Sequence, residues 1–288
     1  MINRGLSKSF DNQVKKLNFI TKDTTQYDIL MLGSSRMETG VNPIIIDTIL
    51  MANSYNLGIG GGTLIEFNYL YKAYLEHHKP PKCLIIGVDK HSFDMYRGVV
   101  NHFIYYNYLN SKSIKQMLVD NNKQVYSKTW VYLTEIDDYY KGQAFKGLIG
   151  NLASTTNDVQ IKGYAQNTNL SGFSLQDSVI KYNPKIEKRG VQLLLEIIEI
   201  AKQNRTKVLL LYLPELPRIS AAGYTPFYDT LNQISRNNDI TFLRHDTISI
   251  SKDKIFFKDF GHLNYKGSLY YSQYLANSLY DIANKKHE

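Results

Sequence analysis

The chain has 288 residues, 43% of them hydrophobic and 21% charged. That mixture fits one large globular domain, or one with a sizeable insertion, and excludes a disordered chain, a collagen and a coiled coil. The balance of 34 basic to 26 acidic residues gives a net charge of +8, but the lysines are scattered with no long block of like charge and no zinc-finger or RNP-like string, so no nucleic-acid partner is expected.

One cysteine, Cys83, excludes an internal disulfide and any multi-cysteine zinc site. No run approaches about 18 consecutive apolar residues, so no membrane span is expected. The first ten residues, MINRGLSKSF, carry positive charge but no apolar h-region follows. The expectation is a cytoplasmic protein, or an envelope-facing one if an anchor or signal was removed ahead of this sequence.

Residues 1–25 are polar and are expected to form an N-terminal helix or arm. Tyr27 to Leu32 is a short apolar run ending at Gly33 and reads as a buried strand. Asn42-Pro43 followed by Ile44 to Leu50 predicts a helix with proline in its first turn. Ser54 to Leu57 predicts a second strand, closed by Gly58, Gly60, Gly61 and Gly62. Thr63 then caps a helix to about His78, with Leu64, Phe67, Leu70, Tyr71 and Tyr74 at helical spacing. Pro80-Pro81 stops it, and Cys83 to Val88 is a third strand, apolar without alternation, as a strand covered on both faces should be.

Beyond Ser92 the pattern degrades. Residues 92–185 are rich in Tyr, Asn, Ser and Lys, carry the only tryptophan, Trp130, and are expected to be a partly helical insertion. It reads as a lid or a sugar-stacking platform, or as a satellite core built from tyrosines. Order resumes with an amphipathic helix through Val191, Leu194, Leu195, Ile198 and Ala201. A fourth strand, Val208 to Leu213, ends at Pro214; a helix over Thr225 to Arg236, a fifth strand over Ile240 to Leu243 and a last helix from Gly267 to about Asn284 complete the chain. Alternating strands and helices predict a three-layer α/β/α sandwich on a five-stranded parallel sheet. The α/β domain comprises 26–91 and 186–288. Ligands of such sheets sit at the carboxyl ends of the strands, which directs attention to the loops after Leu32, Leu57, Val88 and Leu213 and to the loop before the last helix.

Three strings occupy those places: Gly33-Ser34-Ser35-Arg36, Asn56-Leu57-Gly58-Ile59-Gly60-Gly61-Gly62-Thr63, and Asp259-Phe260-Gly261-His262. The glycine cluster lacks the Lys-Ser/Thr ending of a P-loop and misses the dinucleotide spacing. The Asp-x-x-His step has no further ligand cluster around it, so no metal and no other cofactor is expected.

Taken in order, the strings resemble the SGNH (GDSL-like) hydrolase family. Ser35 falls at the serine of that family's first block, with Ser34 in place of its aspartate. Asn56-x-Gly58-x-x-Gly61-x-Thr63 is similar to the second block, and Asp259-x-x-His262 to the last. The resemblance covers about 26–91 and 186–284 and implies a flavodoxin-like fold. It also implies a Ser35-Asp259-His262 triad, with the backbone N–H groups of Ser35 and Gly58 receiving the oxyanion. Gly-Ser-Ser-Arg looks like the branch of polysaccharide O-acetyltransferase-type envelope proteins. That branch implies a small acyl ester, acetyl first, on a carbohydrate.

The chemistry is coherent. A serine hydroxyl needs a base to take its proton, His262 is the candidate base, and Asp259 can hold its tautomer. Glycine at 58 would leave its N–H open to substrate. One position departs from the pattern: Asp89 stands about where the family has an asparagine that donates to the oxyanion, and a carboxylate only accepts. Asp89 is therefore expected to orient another group or cap its loop, with Arg36 and His91 as substitute donors. The competing readings are a catalytically silent module of the same fold that binds a glycan or an assembly partner, and a nucleotide-binding α/β protein using the Gly58–Gly62 loop.

Overall fold

The computed structural model describes residues 11–122, 141–142, 145, 160–167, 185–217 and 225–284. Its centre is β1 (Ile29–Gly33), a run of five residues buried on both faces. β2 (Ser54–Gly58) and β3 (Cys83–Gly87) flank it in parallel, with Leu32 opposite Leu57 on one side and Ile86 on the other. β6 (Lys207–Tyr212) and β7 (Thr241–Arg244) extend the sheet beyond β3. The order β2-β1-β3-β6-β7, all parallel, is that of a flavodoxin-like doubly wound sheet. The chain reverses direction across the sheet between β1 and β3, and that switch point is where such folds place their ligands.

Successive side chains on a strand point to opposite faces, and here both faces are covered. Leu30, Leu32, Leu84, Ile86, Val208 and Leu210 pack into a core with α1 (Asn12–Lys22), α4 (Leu64–His77), α7 (Lys188–Gln203) and α8 (Thr225–Asn237). Ile29, Met31, Ile85, Leu209 and Leu211 pack the other way, against α3 (Pro43–Leu50) and α9 (Tyr265–Asn284). The caps are those the sequence implies. Asn42 accepts from the Ile44 N–H ahead of Pro43, and Thr63 and Glu66 form a capping box at the start of α4.

Of the helix or arm expected over residues 1–25, residues 12–22 form a helix: α1 buries Val14, Leu17, Phe19 and Ile20 and also encloses Lys16. The first part of the expected insertion packs into the main core. Phe93, Ile104, Tyr105 and Tyr108, together with Ile114 and Met117 of α6 (Lys112–Asp120), belong to the main core; Ile104 and Tyr105 lie on the short α5 (His102–Tyr105). Farther on, the hairpin of β4 (Gln160–Ile161) and β5 (Tyr164–Ala165) lies along the edge of β2, where the Asn56 N–H donates to the Lys162 carbonyl at 2.9 Å. Trp130 and most of the tyrosine-rich segment, on which the lid reading rests, lie outside the described residues.

Candidate active site

Ser35 is the first residue of α2 (Ser35–Gly40), a six-residue helix that starts directly where β1 ends. Ser34 caps it by accepting from the Arg36 N–H at 3.3 Å, and the Thr39 hydroxyl closes it on the Ser35 carbonyl at 3.0 Å. A Cβ at Gly33 would stand 2.5 Å from the Met37 Cβ, so only glycine lets this turn pack on the strand end.

His262 arrives from the other end of the chain. The loop carrying it is closed by a hydrogen bond from the Lys258 N–H to the His262 carbonyl at 2.9 Å and by the pairing of Phe257 with Leu263. Its Nε2 lies 2.8 Å from Ser35 Oγ. Its Nδ1 lies 2.9 and 3.0 Å from the two carboxylate oxygens of Asp259. Asp259 Oδ1 also accepts the backbone N–H groups of Gly261 and His262, each at 2.9 Å.

Partial burial pushes the Asp259 carboxyl up, but its bonds to the imidazole, the imidazole's charge and the two backbone N–H groups outweigh this and hold it at about 2. It is therefore a carboxylate at neutral pH and can only accept. Nδ1 must then carry the proton, which leaves the Nε2 lone pair facing Ser35 Oγ. The three side chains form a relay in which the serine hydroxyl donates to the imidazole and the imidazole donates to the carboxylate. The His262 and Asp259 side chains remain 33% and 44% exposed, so the relay is open to a substrate from solvent.

Gly58 does something other than the sequence suggests. Its N–H donates to the Asn56 side-chain carbonyl at 3.0 Å, so it is already engaged. A Cβ there would lie 2.6 Å from the Glu38 backbone nitrogen. Glycine at 58 thus lets α2 lie against β2 rather than opening an N–H to substrate. The Asn56 amide in turn donates to the Met37 and Val41 carbonyls, each at 2.8 Å, tying β2 to the end of α2.

Asp89 lies buried just beyond β3. Its Oδ2 accepts from Ser34 Oγ at 2.5 Å and its Oδ1 from the His91 N–H at 2.8 Å. The Arg36 guanidinium is turned onto carbonyls of the chain: its Nε donates to the Gly261 carbonyl at 3.1 Å and Nη2 to the carbonyls of Leu213 and Pro214 at 2.7 and 3.1 Å. Its Nη1 faces Glu215 Oε2 at 3.6 Å, and the guanidinium lies 4.9 Å from the Tyr212 ring centroid. His91 is 41% exposed, with Nδ1 3.1 Å from Asp94 Oδ2.

Sequence reading missed the support behind α2. Lys16 of α1 is fully buried, with Nζ 2.8 Å from Glu38 Oε1 and a further bond to the Gly58 carbonyl. Asn12 donates to the same Glu38 oxygen at 2.5 Å. The clue was a lysine among the buried positions of a helix that also buries Gln13, Val14, Leu17, Phe19 and Ile20.

Three other titratable residues, His245, His78 and Cys83, make none of these contacts. His245 is buried, with Nδ1 3.0 Å from the Tyr271 hydroxyl. Both ring nitrogens of His78 face carbonyl oxygens, those of Thr25 and Phe19, each at 3.2 Å. Burial pushes the Cys83 thiol up to about 11. Among the described residues no group of three or more His, Cys, Asp or Glu side chains is placed to hold a metal ion, and no helix is long and apolar enough to cross a membrane.

No family model matches the chain, and no curated protein does. Among solved structures it is similar to a proposed platelet activating factor from Streptococcus pneumonia, at 14% identity and a TM-score of 0.48 over 96% of this chain and 93% of that one. It is similar to a proposed acylhydrolase from Bacteroides fragilis NCTC 9343, at 14% identity and a TM-score of 0.43 over 95% and 94%. A GDSL-like lipase from Bacteroides thetaiotaomicron VPI-5482 aligns at 12% identity and a TM-score of 0.44 over 90% and 88%. Likeness at this level is of chain path and carries no chemistry over to these residues.

Proposed function

We propose that the protein is a serine-dependent acyl-ester enzyme of SGNH type, an esterase or an O-acyltransferase. The observation that carries this reading is the relay of Ser35 Oγ, His262 and Asp259, with separations of 2.8 Å and 2.9–3.0 Å, at the carboxyl end of a parallel sheet. In this reading Ser35 Oγ attacks the ester carbonyl while its proton passes to His262 Nε2. The collapsing tetrahedral intermediate expels the alcohol, which takes that proton from the imidazolium. Water, or a sugar hydroxyl, gives its proton to His262 as it attacks the acyl-serine; the second tetrahedral intermediate then breaks its bond to Ser35 Oγ, which takes that proton back from the imidazolium, and the acid or the new ester leaves. Asp259 stabilises the imidazolium formed in both halves.

The Ser35 backbone N–H is the first oxyanion donor. The Gly58 N–H, the other expected donor, is engaged by the Asn56 side chain at 3.0 Å. Removing one such donor costs about 10²–10³ in rate. The acyl group is small, acetyl first, and the carrier a carbohydrate; this part rests on the Gly-Ser-Ser-Arg resemblance alone.

Turnover of p-nitrophenyl acetate and labelling by a fluorophosphonate, with wild type and Ser35→Ala side by side, test the proposal. The expected result is turnover and labelling that both vanish in Ser35→Ala. Equal activity in both proteins would remove Ser35 from the role of nucleophile. Absence of labelling in a folded wild type would favour the silent glycan- or partner-binding module.

A further inference from the structure

We infer that Arg36 is a positioning residue that sets the distance between the nucleophile and its base. The inference deepens the esterase reading and rests on it. Arg36 follows Ser35 in the chain, so its backbone moves with the nucleophile. Its side chain is buried and leaves α2 for two loops that are remote in sequence. Nε holds the carbonyl of Gly261, the residue directly before His262, at 3.1 Å. Nη2 holds the carbonyls of Leu213 and Pro214, just after β6, at 2.7 and 3.1 Å. The Leu216 N–H of that same post-β6 loop donates to the Phe260 carbonyl at 3.0 Å. One planar guanidinium therefore links three segments: the serine turn, the end of β6 and the histidine loop.

The geometry requires an arginine. The three carbonyls are met by two nitrogens in a fixed fork, which a lysine ammonium cannot reproduce. The plane of the fork is held from behind by the Tyr212 ring at 4.9 Å and by Glu215, whose carboxylate also accepts from the Tyr212 hydroxyl at 3.0 Å. Asp259 fixes how the imidazole is turned; Arg36 fixes where its loop stands relative to Ser35. Proton transfer needs the 2.8 Å contact of Oγ and Nε2, and a shift of about 1 Å in such a contact costs about 10²-fold in rate.

The test measures fluorophosphonate labelling rate, kcat and KM for p-nitrophenyl acetate, and thermal midpoint in wild type, Ser35→Ala, Arg36→Lys and the charge-neutral pair Arg36→Met with Glu215→Gln. The pair removes the guanidinium together with the carboxylate it faces but leaves Lys90, whose Nζ lies 3.7 Å from Glu215 Oε2; Arg36→Met alone keeps Glu215 opposite Lys90 and stands in where the pair or Arg36→Lys does not fold. In any folded Arg36 variant the labelling rate and kcat are expected to fall about 10²-fold with KM within about twofold, the signature of a misplaced base rather than lost binding. Millimolar methylguanidinium should restore part of kcat in the Arg36→Met pair and leave wild type unchanged. A labelling rate within about threefold of wild type in a folded variant overturns the inference, as does a loss accounted for wholly by fewer labelled molecules with unchanged rate per molecule. If Ser35→Ala labels like wild type, the esterase reading itself fails, whatever the Arg36 variants do.

Discussion

The Lys16–Glu38 pair offers the sharpest test of how the fold holds α2, the helix that carries Ser35. Lys16 is fully enclosed, the Glu38 side chain is 13% exposed and their charges meet at 2.8 Å. Burial drives the Lys16 ammonium down from its ordinary range, while Glu38 pulls it back. Lys16→Met fills nearly the same volume, so little apolar packing is lost. What it leaves is a carboxylate out of water with Asn12 as its remaining hydrogen-bond donor. Breaking a buried pair on one side costs about 3–5 kcal/mol. With an m-value of about 3 kcal/mol per molar urea, that is a midpoint shift of roughly 1–2 M. Glu38→Gln should cost less, because the stranded ammonium keeps the Gly58 carbonyl and can shed its proton. Lys16→Met with Glu38→Gln removes both charges and should recover most of the loss, giving a coupling of about 1–3 kcal/mol in the double-mutant cycle. Urea unfolding followed by circular dichroism reads all four proteins. A Lys16→Met loss below about 1 kcal/mol, or a double variant no better than Lys16→Met, would refute the reasoning.

Further outcomes follow from individual contacts. Asp259→Asn puts an amide where Nδ1–H needs an acceptor, so kcat for p-nitrophenyl acetate should fall about 10³–10⁴-fold with little change in KM. The Asp259 carboxyl is held at about 2 against an ordinary 3.8; its stabilisation is present above 3.8 and is lost only as pH falls toward 2, so thermal midpoints of wild type and Asp259→Asn should change in parallel from pH 7 to pH 5. Burial lowers His245 from 6.5 to about 4. The unfolded chain then binds the extra proton in that window, and wild type should lose about 3 kcal/mol between pH 6.5 and 4 that His245→Gln does not lose. Gly58→Ala drives a Cβ to 2.6 Å from the Glu38 nitrogen, so it should destabilise by about 1–3 kcal/mol and lower kcat through displacement of α2; an unchanged midpoint with lowered kcat would return Gly58 to the role of an open donor. Ser34→Asp with Asp89→Asn should leave the protein folded with labelling at Ser35 retained, whereas Ser34→Asp alone sets two carboxylates against each other where the 2.5 Å bond now stands and should lower the thermal midpoint.

The sheet was legible because each strand is a short apolar run with a turn signal at its end, and α3, α4, α7 and α8 carry their own periodicity or caps. Ser35, Asp259 and His262 were legible for a related reason: each is the chemistry-bearing residue of a local string at a strand or loop end. The short α2 was not, since six residues give no periodicity to read. Gly58 carried a readable signal that pointed elsewhere, because an asparagine two residues before a glycine often accepts that glycine's own N–H. The partners of Arg36 could not be read at all: they are backbone carbonyls 177, 178 and 225 residues away, and a carbonyl has no identity in a sequence. Lys16 was hidden by the same averaging that made residues 1–25 look polar; its burial depends on Glu38, which only the fold brings near.

Asp89 and Ser34 looked, in sequence, like two separate departures from a familiar pattern, one of them adverse to an oxyanion. In the structure they are one feature. Ser34 follows β1 and Asp89 follows β3, and the switch in chain direction between those strands brings the two together at 2.5 Å. Ser34 donates to Asp89 and so keeps its lone pairs for the Arg36 N–H that it caps at 3.3 Å. The other Asp89 oxygen is taken by the His91 N–H at 2.8 Å. A carboxylate occupied in this way braces the first turn of α2. Both its oxygens accept from donors of the chain itself, which is the expected role of orienting another group and capping its own loop, not that of serving an oxyanion.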